Sequence, residues 1–285
     1  TIGYIPLTVS RLRLSFAKQA LQLQRAALTP LRLRPDFLII GVQKGGTTSL
    51  FNYLAQHPSV AVSTKKEIGY FSGRFANGWA WYLSHFPIAA SKLKRHDVIT
   101  GEADTNYIFH PHSARRIAQT LPQVKIIALL RNPVDRAYSH YRHSVRSGKE
   151  DLTFEEALAA EDERLSGVVS RMAEDEYYTD PRFNYHTYRS RGLYLNQLKI
   201  WFDLFGRDQL LILKSEDFFS NPPASYKKVL KFLGLPTWQL KEYKIYNVGT
   251  CQGMNPGTRQ RLVDYYRPHN QRLSKYLEED FDWDR

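Results

Sequence analysis

DFLIIGVQKGGTTSLFNYL, residues 36–54, runs from an apolar strand through a Lys-Gly-Gly-Thr-Thr-Ser turn into a helix, and its reading decides the fold. Residues 37–42 form the short apolar run of a buried parallel strand, and Leu50, Phe51 and Leu54 then recur at helical spacing. Gly45 and Gly46 let the backbone approach an anion closely, while the helix start offers unpaired N–H groups and the positive end of its dipole. Lys44 adds a full charge beside them. The turn is not a Walker A sequence, in which lysine follows the last glycine, because here it precedes both. That order argues against the common P-loop kinases and ATPases and for a related loop holding a different phosphoryl or sulfuryl donor. A bare Gly-Gly turn would read as an ordinary link. Lys44 before it, with Thr47, Thr48 and Ser49 after it, shifts the reading to anion binding.

Outward from this unit, apolar or β-branched runs recur at 98–100, 124–130 and 209–213, with helical patterns between them. The alternation predicts an α/β fold, a central parallel sheet flanked by helices. Helices are expected over 110–121, from Pro133 to about residue 145, over 151–172 behind a Thr153 capping box, and over 192–205 and 226–233. A last helix over 258–277 should break near Pro268, residues 175–191 read as irregular, and the glycine-rich stretch 247–257 reads as a loop near the ligand. Residues 1–34 are expected to form an N-terminal helical extension and residues 35–285 a single domain, since no Pro/Gly/Ser-rich linker divides them.

The chain has 285 residues and a formal charge of +12, so its field attracts anions without choosing among nucleotides, acidic glycans, nucleic acids and membrane surfaces. One cysteine, Cys251, excludes an intramolecular disulfide or a cysteine metal cluster. No ligand spacing typical of a metal site is present, so no metal is expected. No apolar run reaches transmembrane length, and the first residues lack the apolar core of a signal peptide. The mixed basic and apolar helical pattern over 11–33 could lie on an anionic membrane, but it is read as a helix packed on the domain.

A second strand-to-helix junction lies in ALLRNPVDRAYSHY, residues 128–141. Arg131 stands at the strand end with a planar fork suited to phosphate, and Ser139 can add a hydroxyl donor. Taken singly, Arg131 could equally pair with Asp135, and Ser139 could be an ordinary helix residue.

Together, KGGTTS at Lys44 and RNPVDRAYSHY at Arg131 resemble the two nucleotide-binding signatures of the sulfotransferases that use 3′-phosphoadenosine 5′-phosphosulfate. The resemblance is closest to the heparan sulfate and carbohydrate branch and its bacterial relatives. KEIGYF at Lys66 is similar to that branch's KEPHFF, GEADTNYIF at Gly101 to its GEKTPxYF, and GLYLNQLKIWFDLFG at Gly192 to its GxYxxQLxxWxxxF. The resemblance implies a P-loop-like fold and sulfuryl transfer to a hydroxyl or amine, leaving 3′,5′-adenosine bisphosphate. It also implies that Lys44, Gly45, Gly46, Thr47, Thr48 and Ser49 hold the 5′-phosphosulfate, and that Arg131 and Ser139 hold the 3′-phosphate. Glu67 occupies the position of the general base, and Lys44 is expected to stabilise the leaving phosphate.

Asp104 is read as standing where the branch has a lysine, which removes a positive charge toward an acidic glycan and makes Asp104 a candidate substrate contact with Glu67. The basic cluster and paired cysteines expected near Cys251 are absent, and Arg259 is a candidate replacement. The acceptor could be an acidic or neutral glycan or a small alcohol, with no nucleic acid expected. A bacterial-type member would be cytoplasmic, and one trimmed of an anchor would belong to the Golgi lumen. Two other readings remain open on the sequence: a nucleotide kinase with a modified P-loop, and a non-catalytic basic module for glycans or nucleic acid.

Overall fold

The computed structural model describes residues 25, 27–89, 98–246 and 253–284. Most of the pattern over 11–33 lies outside these residues, as do residues 247–252 of the 247–257 loop, Cys251 among them. Four strands, β1 (Phe37–Gly41), β2 (Gly101–Ala103), β3 (Lys125–Leu130) and β4 (Leu210–Lys214), form one parallel sheet in the order β2-β1-β3-β4. Phe37 lies opposite Gly101 on one side and Lys125 on the other, and Ile126 lies opposite Leu210.

Helices α1 (Thr47–Leu54) and α2 (Trp79–Leu83) join β1 to β2, and α3 (Ser113–Thr120) joins β2 to β3. Six helices follow before β4: α4 (Pro133–Arg146), α5 (Phe154–Ala159), α6 (Glu161–Arg164), α7 (Val168–Glu174), α8 (Pro181–Tyr185) and α9 (Tyr194–Leu204). Beyond β4 come α10 (Ser215–Ser220), α11 (Pro222–Leu233) and α12 (Pro256–Leu277).

Because side chains alternate along a strand, β1 and β3 feed two cores. Leu38, Ile40, Ile126, Ala128 and Leu130 face Ile117 of α3 and Leu198 and Trp201 of α9. Phe37, Ile39, Ile127 and Leu129 face Leu50 and Leu54 of α1 and Val229 and Leu230 of α11. Each fully buried aliphatic or aromatic side chain contributes about 1.5–3 kcal/mol, so the two-sided packing fixes β1 and β3 as the rigid centre. The chain leaves β1 toward β2 and later returns to β1's other side as β3. The crevice at that reversal, beyond the carboxyl ends of β1 and β3, is where such sheets bind ligands.

Several boundaries differ from the sequence reading. The second strand lies at 101–103 rather than 98–100, where Ile99 makes only an isolated bridge to Val60. Pairing starts after the Asp36 carboxylate accepts from Thr100 N, and the strand carries a buried glutamate that no apolar pattern reveals. The capping box at Thr153 forms, but the expected 151–172 helix divides into α5, α6 and α7, with Gly167 in the left-handed region opening the last. Residues 175–191 contain α8, capped by Asp180. Pro268 lies inside a continuous α12 rather than at a break, with Tyr266 and Leu273 buried on either side of it.

Glu102, in the middle of β2, is fully buried, and its Oε1 accepts from the hydroxyls of Tyr82 at 2.6 Å and Tyr107 at 2.9 Å. Burial first, and then the nearby Asp104 carboxylate, pushes its carboxyl up to about 8. The unfolded chain releases this proton near the ordinary glutamate value while the native state keeps it. Stability should therefore fall as pH rises through that interval, by at most about 1.4 kcal/mol per pH unit. Glu102→Gln keeps an acceptor oxygen and cannot ionise. Thermal unfolding between about pH 5 and 8 should show a flatter pH dependence for the variant, with its Tm above the wild type's at the alkaline end; parallel curves would reject this account.

Candidate active site

The turn after β1 is held open by backbone that few side chains adopt. Lys44 has φ 70° and Gly46 φ 100°. A Cβ on Gly46 would lie 2.8 Å from Phe219 Cζ, and one on Gly45 2.6 Å from the Leu129 carbonyl oxygen, so glycine is needed at both. Gly46 N-caps α1 without a side-chain cap, which leaves that helix's first turn suited to an anion. Ser215 Oγ donates to the Gly45 carbonyl at 2.6 Å and ties the turn to the end of β4.

The turn after β3 is built differently. Asn132 Oδ1 accepts from the amides of Val134 and Asp135, Pro133 occupies the first turn, and Glu216 accepts from Asn132 N at 2.8 Å. Arg131 is thereby set at the strand end, and its guanidinium donates to the Lys44 carbonyl at 3.0 Å. The two cationic junctions are joined directly.

Lys44, Gly46, Thr47, Thr48, Glu67 and Arg131 line one cavity of about 560 Å³, together with Lys66, Glu216 and Tyr246 among others. Gly45 and Ser49 do not line it. Ser49 is fully buried and its Oγ accepts from Tyr246 N at 3.0 Å, which secures the segment forming another wall. Ser139 lies buried in α4 beside the cavity rather than in its lining, and its hydroxyl has no hydrogen-bond partner. Asp135 pairs with Arg259 at 2.7 Å, so Arg259 acts on the start of α4 and is not in the cavity lining.

Burial, reinforced by the charges of Arg146 and Arg131, lowers Lys44 from its ordinary lysine value, while Glu67 opposes the shift. A cation held at such a cost favours an incoming negative charge. Glu67 also has positive φ, 58°, with its amide donating to the Ala103 carbonyl at 2.8 Å. Its carboxylate meets Lys66 at 2.5 Å but stays half exposed, so the pair orients the side chain more than it stabilises the fold.

A second cavity of about 440 Å³ shares Gln43, Glu67, Thr105 and His143 with the first and adds Asp104, Arg74, His110 and the 179–185 segment. Asp104 belongs to this cavity alone. Its sequence register also needs correcting. Without a gap, GEADTNY sets Ala103 opposite the lysine of GEKTPxY, and Asp104 replaces the threonine. The positive charge is absent all the same, and a carboxylate stands next to its place.

His143, which the sequence reading passed over, lines both cavities. Burial first, then Lys44 and Arg146, lowers its ordinary histidine value, which favours the neutral ring. The available signal was its position one helical turn beyond Ser139 (143 − 139 = 4) on α4. Among the described residues, no His, Cys, Asp or Glu group is arranged to hold a metal ion, and no helix is long and apolar enough to cross a membrane.

Residues 34–248 match the sulfotransferase domain family. The chain is 30% identical to the membrane-associated sulfotransferase kil1 of Dictyostelium discoideum, over 87% of this chain and 66% of that protein. It is 29% identical to the human bifunctional heparan sulfate N-deacetylase/N-sulfotransferase 2, over 85% of this chain and 29% of that protein. It thus spans under two thirds of one curated relative and under one third of the other. A crystal structure of a sulfotransferase from Alicyclobacillus acidocaldarius is similar with a TM-score of 0.70 and 32% identity, covering 88% of this chain and 99% of that one. The family match over most of the chain, on a parallel α/β sheet with cationic turns after β1 and β3, means that this chain belongs to the sulfotransferase domain family, whose sulfuryl donor is 3′-phosphoadenosine 5′-phosphosulfate.

Proposed function

We propose that the chain transfers a sulfuryl group from that donor to a hydroxyl or amine of an acceptor, with a glycan as the favoured class, Glu67 as general base and Lys44 stabilising the leaving phosphate. The observation that carries this reading is one cavity in which Lys44, the open start of α1, Arg131 and Glu67 converge. Its residues fit the donor. Two cationic ends match the donor's two anionic ends, the volume suits a nucleotide-sized ligand, and the buried Ser139 hydroxyl beside it has no other partner. Lys44 with the first turn of α1 would hold the 5′-phosphosulfate, and Arg131 with Ser139 the 3′-phosphate.

When bound, the donor supplies an electrophilic sulfur, whose bond to the bridging oxygen breaks as the acceptor atom attacks in line. The protein supplies the rest. Glu67, shared by both cavities, takes the proton that the acceptor hydroxyl or amine loses. Lys44 meets the negative charge that gathers on the departing oxygen. Products are the sulfated acceptor and 3′,5′-adenosine bisphosphate. The kinase and non-catalytic readings gain no comparable support, since the family match and the base-bearing second cavity both favour transfer.

The test is calorimetry with 3′,5′-adenosine bisphosphate and with AMP. The wild type should bind the bisphosphate more tightly. Arg131→Ala should weaken bisphosphate binding by about tenfold to a hundredfold, as expected for a lost charge-assisted contact worth about 1.5–3 kcal/mol, and change AMP binding little. Equal wild-type affinity for the two nucleotides would sink the assignment.

A further inference from the structure

The second cavity carries information about the acceptor, provided that the first holds the donor as proposed. Its lining joins the donor cavity at Glu67 and runs past Asp104 and His110 to the segment from Thr179 to Tyr185. Asp104 is only 1% exposed. Its Oδ1 accepts from Asn106 N at 2.9 Å, whereas its Oδ2 meets no donor in good hydrogen-bond geometry, although the Gly69 amide lies close enough to the carboxylate to favour its charge. His110 is nearly as buried, and its Nε2 likewise has no partner. Its Nδ1 accepts from His112 N at 3.3 Å, which leaves the ring proton on Nε2. Residues of the lining therefore hold an unsatisfied acceptor and an unsatisfied donor, both with almost no accessible surface and each costly to leave unpaired.

The cavity's charges are unequal. Glu67 and Asp104 both contribute carboxylates; Glu67 is paired with Lys66 at 2.5 Å, whereas Asp104 makes no salt bridge among the described residues, and burial followed by the Glu67 charge pushes it up to about 6, leaving it mainly ionised at neutral pH. Asp180 is neutralised by Arg182 at 2.7 Å. Burial and neighbouring cations hold His110 down to about 3, so its ring adds no positive charge at neutral pH, and His143 is also lowered, which favours its neutral form. Arg74 donates to the Ile68 carbonyl at 2.6 Å. Arg191, beneath the cavity, sends its guanidinium to Thr187, Asn106 and Phe183.

We infer that the acceptor is an uncharged polyol, a neutral sugar in class, that presents one hydroxyl to Glu67 for transfer and further hydroxyls to Asp104 Oδ2 and His110 Nε2. A hydroxyl both donates and accepts, so it satisfies either atom. A carboxylate or sulfate on the acceptor could not donate to Asp104 and would face its unpaired charge. Discrimination against acidic sugars follows from that unpaired charge rather than from shape.

The test measures transfer of labelled sulfate to a panel of neutral methyl glycosides, each paired with its uronate, by the wild type, Asp104→Thr and Asp104→Asn. At least one neutral glycoside should exceed its uronate by tenfold or more in kcat/KM. Asp104→Thr and Asp104→Asn should each narrow that ratio at least severalfold, chiefly through KM, with 3′,5′-adenosine bisphosphate affinity unchanged as the check that the variants are folded. A preference for uronates, an unaltered ratio in both variants, or no transfer to any neutral member by an enzyme that still binds the bisphosphate would overturn the inference and leave the donor assignment standing. Failure of the wild type to bind the bisphosphate would instead remove the donor assignment, and this inference with it.

Discussion

Lys44→Ala is expected to slow sulfuryl transfer by about 10²–10³-fold, because it removes a preorganised cation from the point where charge develops on the departing oxygen. The lysine's burial, together with Arg146 and Arg131, disfavours its charge in the free protein. Negative charge gathering beside it relieves that penalty, so the contribution grows toward the transition state. Single-turnover rates at saturating donor would isolate the effect from binding. Lys44→Gly serves as the companion variant, since φ of 70° favours glycine and removes any backbone strain from the comparison. A rate within a few-fold of wild type in both variants would exclude Lys44 from the chemical step.

Glu67→Gln should lower kcat by about 10²–10⁴-fold, the usual worth of a positioned general base. The amide retains the shape and cannot accept the acceptor's proton. Affinity for 3′,5′-adenosine bisphosphate should hold, as the fold does not depend on the half-exposed Lys66–Glu67 pair. Unfolding and calorimetry on the same sample would verify both points. Turnover retained at the wild-type level would transfer the role of base elsewhere, with His143 the next group that both cavities share.

What the sequence made legible was local. Lys44, Gly46 and Arg131 are set by strand–turn–helix units a few residues long, so apolar runs and turn chemistry located them without knowledge of the sheet. β2 was harder because its three residues include Glu102, a carboxyl paired with two tyrosines where an apolar side chain would be expected. The division of 151–172 turned on Gly167 adopting the left-handed region, and the continuity of α12 through Pro268 on burial to either side, both tertiary matters. His143 faces the cavities only because of how α4 sits against the turn after β1 and the loop bearing Glu67. Ser49 and Ser139 have side chains suited to phosphate. The packing of α1 and α4, rather than residue type, puts both outside the cavity lining.

The two cavities draw their walls from different parts of the chain. The first cavity, the proposed donor site, is made largely by turns at the ends of β1, β3 and β4, whose positions the sheet and both cores dictate. Much of the second cavity, the proposed acceptor site, comes from Met172 and the segment from Thr179 to Tyr185, within the long helical excursion between β3 and β4, which adds no strand. Remodelling of residues 172–185 alone would leave α9, which packs on the sheet, and the turns after β1 and β3 in place. The architecture is therefore modular: a lineage could acquire new acceptors by remodelling one insertion while inheriting its transfer chemistry intact.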